Sequence, residues 1–439
     1  MMQAQVTQPP VKAEGYSRLI PGVPKGQFSA AAIGNMIEWF DWNAYAFLSV
    51  YFAKHFFPPD TPPLVSLLGT FGIMAVGFIC RPLSGLLIGF LADRLGRKPA
   101  LLLTVYGMGF ASLMIAVAPT YAQVGILAPF ILLAARIIQG LCIGGEYASL
   151  AAFAMEMAPT GRRAVVAGWL SAIAQLGQFA VALIIVLFAW FLPKAAMVEW
   201  GWRLVFLVAA LLSLAGIWMR RHMHETIEVE EPGKKQKSSH SVFGAIKHHP
   251  RETITVVGMI LGFTAMVYAW GAYMPAYAVT TTGIDAKYTM FSVMASAVAG
   301  MVGGVFFGHL SDRFGRRAVM IGGGLILAVG TPFALGALSS SIWSLIAVQC
   351  FGLFMLGALQ AASMPAMAEM FSTEFRAAGL GFPYSLTVGI VGGTVPMVGT
   401  ELASRGMSNL FPWYLAALMI ISVLFYMKMK ETAFDPLPR

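Results

Sequence analysis

Charge is scarce in this sequence. Of its 439 residues 11% are Asp, Glu, Lys or Arg, where soluble proteins carry roughly 25%. A chain so poor in charge excludes an ordinary soluble globular domain, because it has too little to show to water. What stands in its place is a hydrophobic content of 58%. A helix crossing the hydrocarbon core of a bilayer needs roughly 20 apolar residues in succession. About twelve such helices would use on the order of 240 residues and leave room for short connections. The fold class that follows is an all-α membrane protein of about twelve transmembrane helices.

Other absences narrow the reading. There are three cysteines, Cys80, Cys142 and Cys350, each in a separate apolar run, which speaks against a disulfide framework or a metal site. The 27 methionines do not cluster with His or Cys, so a copper path is not expected, and no metal or other cofactor is. No His-Glu-x-x-His, Gly-x-Ser-x-Gly or Walker loop occurs, which excludes the familiar membrane enzymes and a nucleotide-driven pump. The chain before Gln27 is polar, holds Pro9, Pro10, Pro21 and Pro24, and lacks the basic-then-apolar layout of a cleavable leader. The first apolar run is therefore expected to remain as a helix.

The net charge of +9 could point to nucleic acid, but its distribution excludes that. Most Lys and Arg fall in alternate connections, among them Arg94, Arg97, Lys98, Arg162, Arg163, Arg220, Arg221, Lys234, Lys235, Lys237, Arg313, Arg316 and Arg317. Such asymmetry orients a membrane protein with its basic loops in the cytoplasm. Both termini share that side. The expected partners are the lipid bilayer and a small solute rather than nucleic acid, with a monomer as the expected state.

Apolar runs between charged or Pro/Gly breaks predict spans at 28–52, 64–91, 100–118, 123–148, 164–192 and 202–221. A second set follows at 252–280, 288–310, 318–338, 342–370, 377–402 and 411–428. The organisation expected is a tail over 1–27, a six-helix bundle over 28–221, a polar linker over 222–251, a second bundle over 252–428 and a tail over 429–439. The halves echo each other. Gly89-Phe-Leu-Ala-Asp93-Arg94-Leu-Gly96-Arg97-Lys98 returns 219 residues later as Gly308-His-Leu-Ser-Asp312-Arg313-Phe-Gly315-Arg316-Arg317. Glu156, followed by Arg162 and Arg163, returns as Glu369, followed by Arg376. Internally repeated transporters hold their substrate near mid-membrane between the repeats.

The repeated decapeptide resembles the signature loop of the major facilitator superfamily. Gly34-Asn35-Met-Ile-Glu38-Trp39-Phe40-Asp41, Arg81-Pro82-Leu-Ser-Gly85, Arg136-Ile-Ile-Gln139-Gly140, Gly144-Gly145-Glu146-Tyr147 and Glu199-Trp200-Gly201-Trp202-Arg203 are similar to its metabolite:proton symporter family. The resemblance implies two pseudo-symmetric bundles and proton-coupled uptake by alternating access. Solutes it implies are organic acids such as α-ketoglutarate, citrate and shikimate, or the zwitterions proline and betaine. This chain departs from the family with Trp42, Asn43 and Ala44 after Asp41, and it lacks the C-terminal coiled coil of the proline/betaine branch. The missing coiled coil, Arg136, and a fifth span without the Gly-Pro-rich signature of drug–proton antiporters favour an organic carboxylate.

Ionisable residues at membrane depth cost roughly 2.5–3.5 kcal/mol each and demand a reason. Those expected there are Glu38, Asp41, Arg81, Arg136 and Glu146. Asn35, Glu38, Trp42 and Tyr45 fall at helical spacing on one face of the first span, with Asp41 beside it. Arg136, Gln139 and Glu146 share the fourth span. Arg136 or Arg81 is expected to grip a carboxylate through its planar fork, with Gln139, Tyr45 and Tyr273 completing the substrate site. The alternative is that each arginine pairs permanently with a neighbouring acid. Tyr268, Trp270, Tyr273 and Tyr277 in the seventh span are candidates for the cavity wall or for interface anchors. None of the seven histidines falls mid-span, so Glu38, Asp41 and Glu146 are the candidate proton carriers. The signature loops predict a cytoplasmic gate built from Gly89, Asp93, Arg94, Gly96, Arg97, Asp312, Arg313 and Arg316. Asp93 is expected to accept from a helix N-terminus, and Arg94, Arg97 or Lys98 to pair with Glu156.

Overall fold

A backbone inside lipid must satisfy its own polar groups, which a helix does along its length. The computed structural model describes residues 25–85, 87–88, 97–143, 146–159, 161–222, 249–372, 376–435 and 437. Among them the chain is built of helices. In the first half these are α1 (Lys25–Phe52), α2 (Pro63–Gly85), α3 (Arg97–Val117), α4 (Leu127–Ile143), α5 (Glu146–Met157), α6 (Arg163–Phe191) and α7 (Trp202–His222). The second half has α8 (Pro250–Thr282), α9 (Ala286–Phe314), α10 (Arg316–Gly336), α11 (Ile342–Ala368), α12 (376–404) and α13 (Phe411–Lys428). Nine helices among the described residues are long and apolar enough to cross a membrane.

Local chemistry sets the ends. Pro63 and Pro250 open α2 and α8 at positions where a missing N–H is harmless. Asp285 caps α9 by accepting from Lys287 N at 3.0 Å. Gly283, with φ of 70°, supplies the left-handed residue that ends α8. The fourth span departs from expectation. A short helix at Tyr121–Val124 turns at Gly125, helix resumes in α4 at Leu127, and α5 runs to Met157, beyond the expected end at 148.

Small residues bring the helices together. A Cβ on Gly140 would stand 1.9 Å from the Gly77 carbonyl oxygen, so α2 and α4 touch backbone to backbone beside Arg136. Between the halves, a Cβ on Gly168 of α6 would stand 2.3 Å from the Gly304 carbonyl oxygen of α9. A second contact between halves joins α2 to α12, where a Cβ on Gly393 would meet Ala75 and Phe78 at 2.8 Å.

At the α9 N-terminal end, Lys194 of the first half donates to Asp285 of the second at 2.5 Å. That bond holds the Asp285 carboxyl below the ordinary aspartate range. Lys194 is 81% exposed there, so the pair biases the halves by no more than about 1 kcal/mol. At the other end, the residues after α13 dock rather than hang free. Glu431 accepts from the N–H groups of Arg316 and Arg317 at 2.9 and 3.0 Å, capping α10, and Thr432 and Ala433 are buried.

Replacing Gly168 with valine should wedge α6 from α9. In a background with Cys80, Cys142 and Cys350 changed to serine, cysteines placed at Ser171 and Gln360 should crosslink readily in the parent and slowly with Gly168→Val. Equal rates would show that this helix contact does not control the approach of the halves.

Candidate functional site

The halves enclose a cavity. From α1 it is lined by Asn35, Glu38, Trp39, Trp42, Asn43 and Ala46, and from α2 by Met74, Phe78 and Arg81. Tyr147 and Leu150 close it from α5, Tyr268 and Ala272 from α8, and Tyr384, Ser385 and Val388 from α12. In the second half, α8 and α12 widen to i→i+5 turns over Val267–Tyr273 and Val388–Gly392, where Tyr268, Ala272 and Val388 meet the cavity. Such turns shift side chains out of ordinary register and recur at functional sites. The space continues between α6, α8 and α11, past Thr264, Ser171 and Gln360. There Ser171 Oγ donates to Gln360 Oε1 at 2.5 Å across the halves.

Arg81 is the arginine in this wall. Its guanidinium carbon lies 4.3 Å from the ring centroids of both Trp42 and Phe78, and its Nη1 donates to the Tyr268 hydroxyl at 3.5 Å. Its Nε is buried with no hydrogen-bond partner. Aromatic faces can hold a desolvated guanidinium by about 2 kcal/mol while leaving its in-plane donors free for an anion. Tyr147 and Tyr384 stack across the halves at 3.8 Å, with planes 5° apart.

Behind the wall lies a fully buried polar network. Arg136 Nη1 donates to Gln139 Oε1 at 2.6 Å, and Gln139 Nε2 donates to Asp41 Oδ2 at 2.6 Å and to Ser112 Oγ at 3.1 Å. The Ser112 hydroxyl donates to the other Asp41 oxygen. Both carboxylate oxygens are thus accepting, which is the pattern of an ionised Asp41. The Arg136 guanidinium also lies 3.5 Å from the Tyr45 ring centroid and 5.0 Å from that of Trp42. Its Nε and Nη2 are buried without partners.

The residues expected at a substrate site therefore separate: Arg81 lines the cavity, as does the expected proton carrier Glu38, whereas Arg136, Gln139 and Tyr45 do not. The Tyr45 hydroxyl instead donates to the Thr70 carbonyl at 2.9 Å. Of the aromatic residues on α8, Tyr268 faces the cavity. Tyr273 and Tyr277 pack against Phe411, and Trp270 packs near Phe351. Tyr273 takes a hydrogen bond from Thr400 at 3.2 Å and stacks edge-on to Phe71 of the first half. Gly89, Asp93, Arg94 and Gly96 lie outside the described residues, as do the side chains of Arg97 and Glu146.

At the face bearing the basic loops the repeats exchange partners. Arg163 of the first half donates to Glu369 of the second at 2.9 Å, and Arg376 of the second to Glu156 of the first at 2.8 Å. Glu156 thus pairs with its counterpart's arginine, and the Arg94, Arg97 and Lys98 side chains expected to reach it lie outside the described residues. Glu369 also receives Arg316 at 3.4 Å and the Thr432 hydroxyl at 2.6 Å. Asp312 accepts from the backbone N–H groups of Ala164 and Val165 at 3.1 and 2.9 Å, and is fixed by Arg316 at 2.6 Å. This is the helix-terminus contact expected of Asp93, made by its repeat and reaching into the other half. Arg313 is exposed, stacks on Phe314 and takes no part in this contact. One signal for the exchange stood in the sequence: Glu156 to Glu369 and Arg163 to Arg376 are each 213 residues apart.

A family model described as Major Facilitator Superfamily matches residues 31–308 and 289–437. The chain is 36% identical over 400 residues to the alpha-ketoglutarate permease of Escherichia coli (strain K12), covering 90% of this chain and 91% of that protein. It is 32% identical to a putative proline/betaine transporter of Staphylococcus haemolyticus, covering 89% and 84%. Among solved structures, the partially occluded, inward-open xylose transporter XylE from E. coli aligns with a TM-score of 0.72 at 18% identity, over 93% of this chain and 98% of that one. The proton:xylose symporter XylE bound to 6-bromo-6-deoxy-D-glucose aligns with a TM-score of 0.71 at 16% identity, over 93% and 96%. At these identities the structures speak to fold alone.

Two outcomes follow from the geometry. Arg136→Gln should leave Asp41 ionised without its cation and destabilise the protein by about 3–5 kcal/mol, and Asp41→Asn in the same chain should recover most of that. Thermal unfolding of the three variants in detergent measures it; a single variant as stable as the parent would disprove the network. Asp312→Asn should slow uptake with little change in substrate affinity, since its partners lie at the rim rather than in the cavity. Binding and flux on one preparation decide, and equal losses in both would remove Asp312 from the gate.

Proposed function

The chain belongs to the Major Facilitator Superfamily and is a multi-pass membrane transporter rather than an enzyme, and on that premise we propose that it imports a small organic carboxylate together with protons. The observation that carries this is Arg81, a cation in the cavity wall between two aromatic faces with an unpaired donor. A planar guanidinium fork matches a carboxylate through two parallel hydrogen bonds. The α-ketoglutarate carrier among the relatives supports the same class.

In this reading the basic face is cytoplasmic, as are both termini, and the membrane is the cell's inner or plasma membrane. The clasp of Arg163, Glu369, Arg376, Glu156 and Asp312 holds that face shut and releases as the halves rock. Glu38 faces the cavity and Asp41 sits behind it, so these two are the proton carriers proposed, with Glu146 the third. A second reading has its own support. Glu38 and the rings of Trp39, Trp42, Tyr268 and Tyr384 share the cavity with Arg81, which suits a zwitterion whose cationic end meets an acid and aromatic faces. The proline/betaine relatives fit it.

Uptake of labelled α-ketoglutarate, citrate, shikimate, proline and glycine betaine into proteoliposomes tests both. We expect an acid to accumulate only with an inward proton gradient and to stop accumulating when a protonophore is added. Arg81→Lys should weaken its binding about tenfold to a hundredfold, the worth of one charge-assisted hydrogen bond. Accumulation that ignores the gradient rejects coupling, preference for betaine moves the assignment to the second reading, and parental affinity in Arg81→Lys removes this residue from the site.

A further inference from the structure

Trp42 is shared by two arginines that play different parts. Arg81, in the cavity wall, lies 4.3 Å from its ring centroid, and Arg136, in the buried network, lies 5.0 Å from it. Both guanidinium groups are removed from water, at 8% and 0% exposure, so they repel each other with little screening. The indole offers both of them the negative charge of its ring. Its Nε1 is buried with no hydrogen-bond partner, so contact with Phe78 and the two cations, rather than a polar bond, sets the ring's position.

We infer that Trp42 is the positioning residue through which occupation of the cavity reaches the Asp41 network. The inference rests on the proton-coupled reading above. An anion drawn to Arg81 pulls that guanidinium off the indole. The ring's attraction then falls to Arg136 alone, which it draws away from Gln139 Oε1. Gln139 is the link between Arg136 and Asp41, so the carboxylate loses its cation and can take a proton. The groups facing Asp41 are Ser112 from α3 and Gln139 from α4, with Arg136 behind Gln139. On its own helix Tyr45 and Glu38 lie one turn to either side, and Arg81 of α2 stands across Trp42. By linkage, the proton favours the anion by the factor with which the anion favours the proton.

The test compares the parent with Trp42→Leu and Trp42→Phe in proteoliposomes, with α-ketoglutarate and glycine betaine as probes. Labelled uptake, probe-driven proton entry read by an internal pH dye, and exchange of probe at equal concentrations are followed together. Trp42→Leu should keep exchange but lose proton entry, flatten the pH dependence of KM, and raise KM about tenfold, as expected for a lost desolvated cation–π contact. Trp42→Phe keeps a ring face and should restore coupling; a residue that only fills space would be replaced as well by leucine. If the parent is coupled and Trp42→Leu is equally coupled, the inference falls and the transport reading stands. If Trp42→Phe is as uncoupled as Trp42→Leu, the ring face is not the link. If neither probe moves, citrate, shikimate and proline replace them; a parent that moves none of the five, or moves one without protons, overturns the proton-coupled reading and the inference with it.

Discussion

Burying an arginine such as Arg136 in an apolar helix bundle carries a cost, roughly 2.5–3.5 kcal/mol on insertion scales for a membrane helix, and the first half is arranged around meeting it. Lipid offers no partner, so the protein must. Gln139 takes one donor, Tyr45 and Trp42 lay their faces against the cation, and Asp41 supplies the opposite charge one amide away. The close approach of α2 and α4 at Gly77 and Gly140 lies directly beside Arg136. Polarity gathered here leaves α1 with Asn35, Glu38, Asp41 and Asn43, so the helix most involved in the site is also among the less apolar.

The two halves meet the same constraint differently. In the first, buried charge rests on aromatic faces and a polar network, with donors of Arg81 and Arg136 left over. In the second, the cavity-facing stretches of α8 and α12 present Tyr268, Tyr384, Ser385 and Val388, without a charged side chain among the described residues. Their widened turns loosen the helical ladder where α12 crosses α2. A wall that carries Arg81 and Glu38 therefore faces an uncharged one whose helices are locally widened.

The periodicity of apolar runs made the helices legible, and the repeated signature loop made the halves legible. What the sequence could not fix was which side of a helix each polar residue faces. Asn35, Glu38, Trp42 and Tyr45 share a stripe by spacing, yet a step of three residues turns about 300°, and Tyr45 stands round toward Thr70 while Trp42 meets the cavity. Arg136 looked as accessible as Arg81, because only neighbouring helices decide that one is in the wall and the other behind it. Ser112 carried no signal at all, being a small polar residue that membrane helices use routinely. Tyr273 was singled out for its type, whereas its environment is the packing against Phe71 and Phe411.

The exchange of Glu156 with Arg376 and of Glu369 with Arg163 has the form of a twofold interface: what one surface gives, it also receives. A six-helix unit carrying one such acid and one such base would be self-complementary. Two identical copies, side by side in the same orientation, would form both bridges at once. The seam between the halves thus has the geometry of a homodimer of half-length chains, within a single chain whose two faces need not be identical.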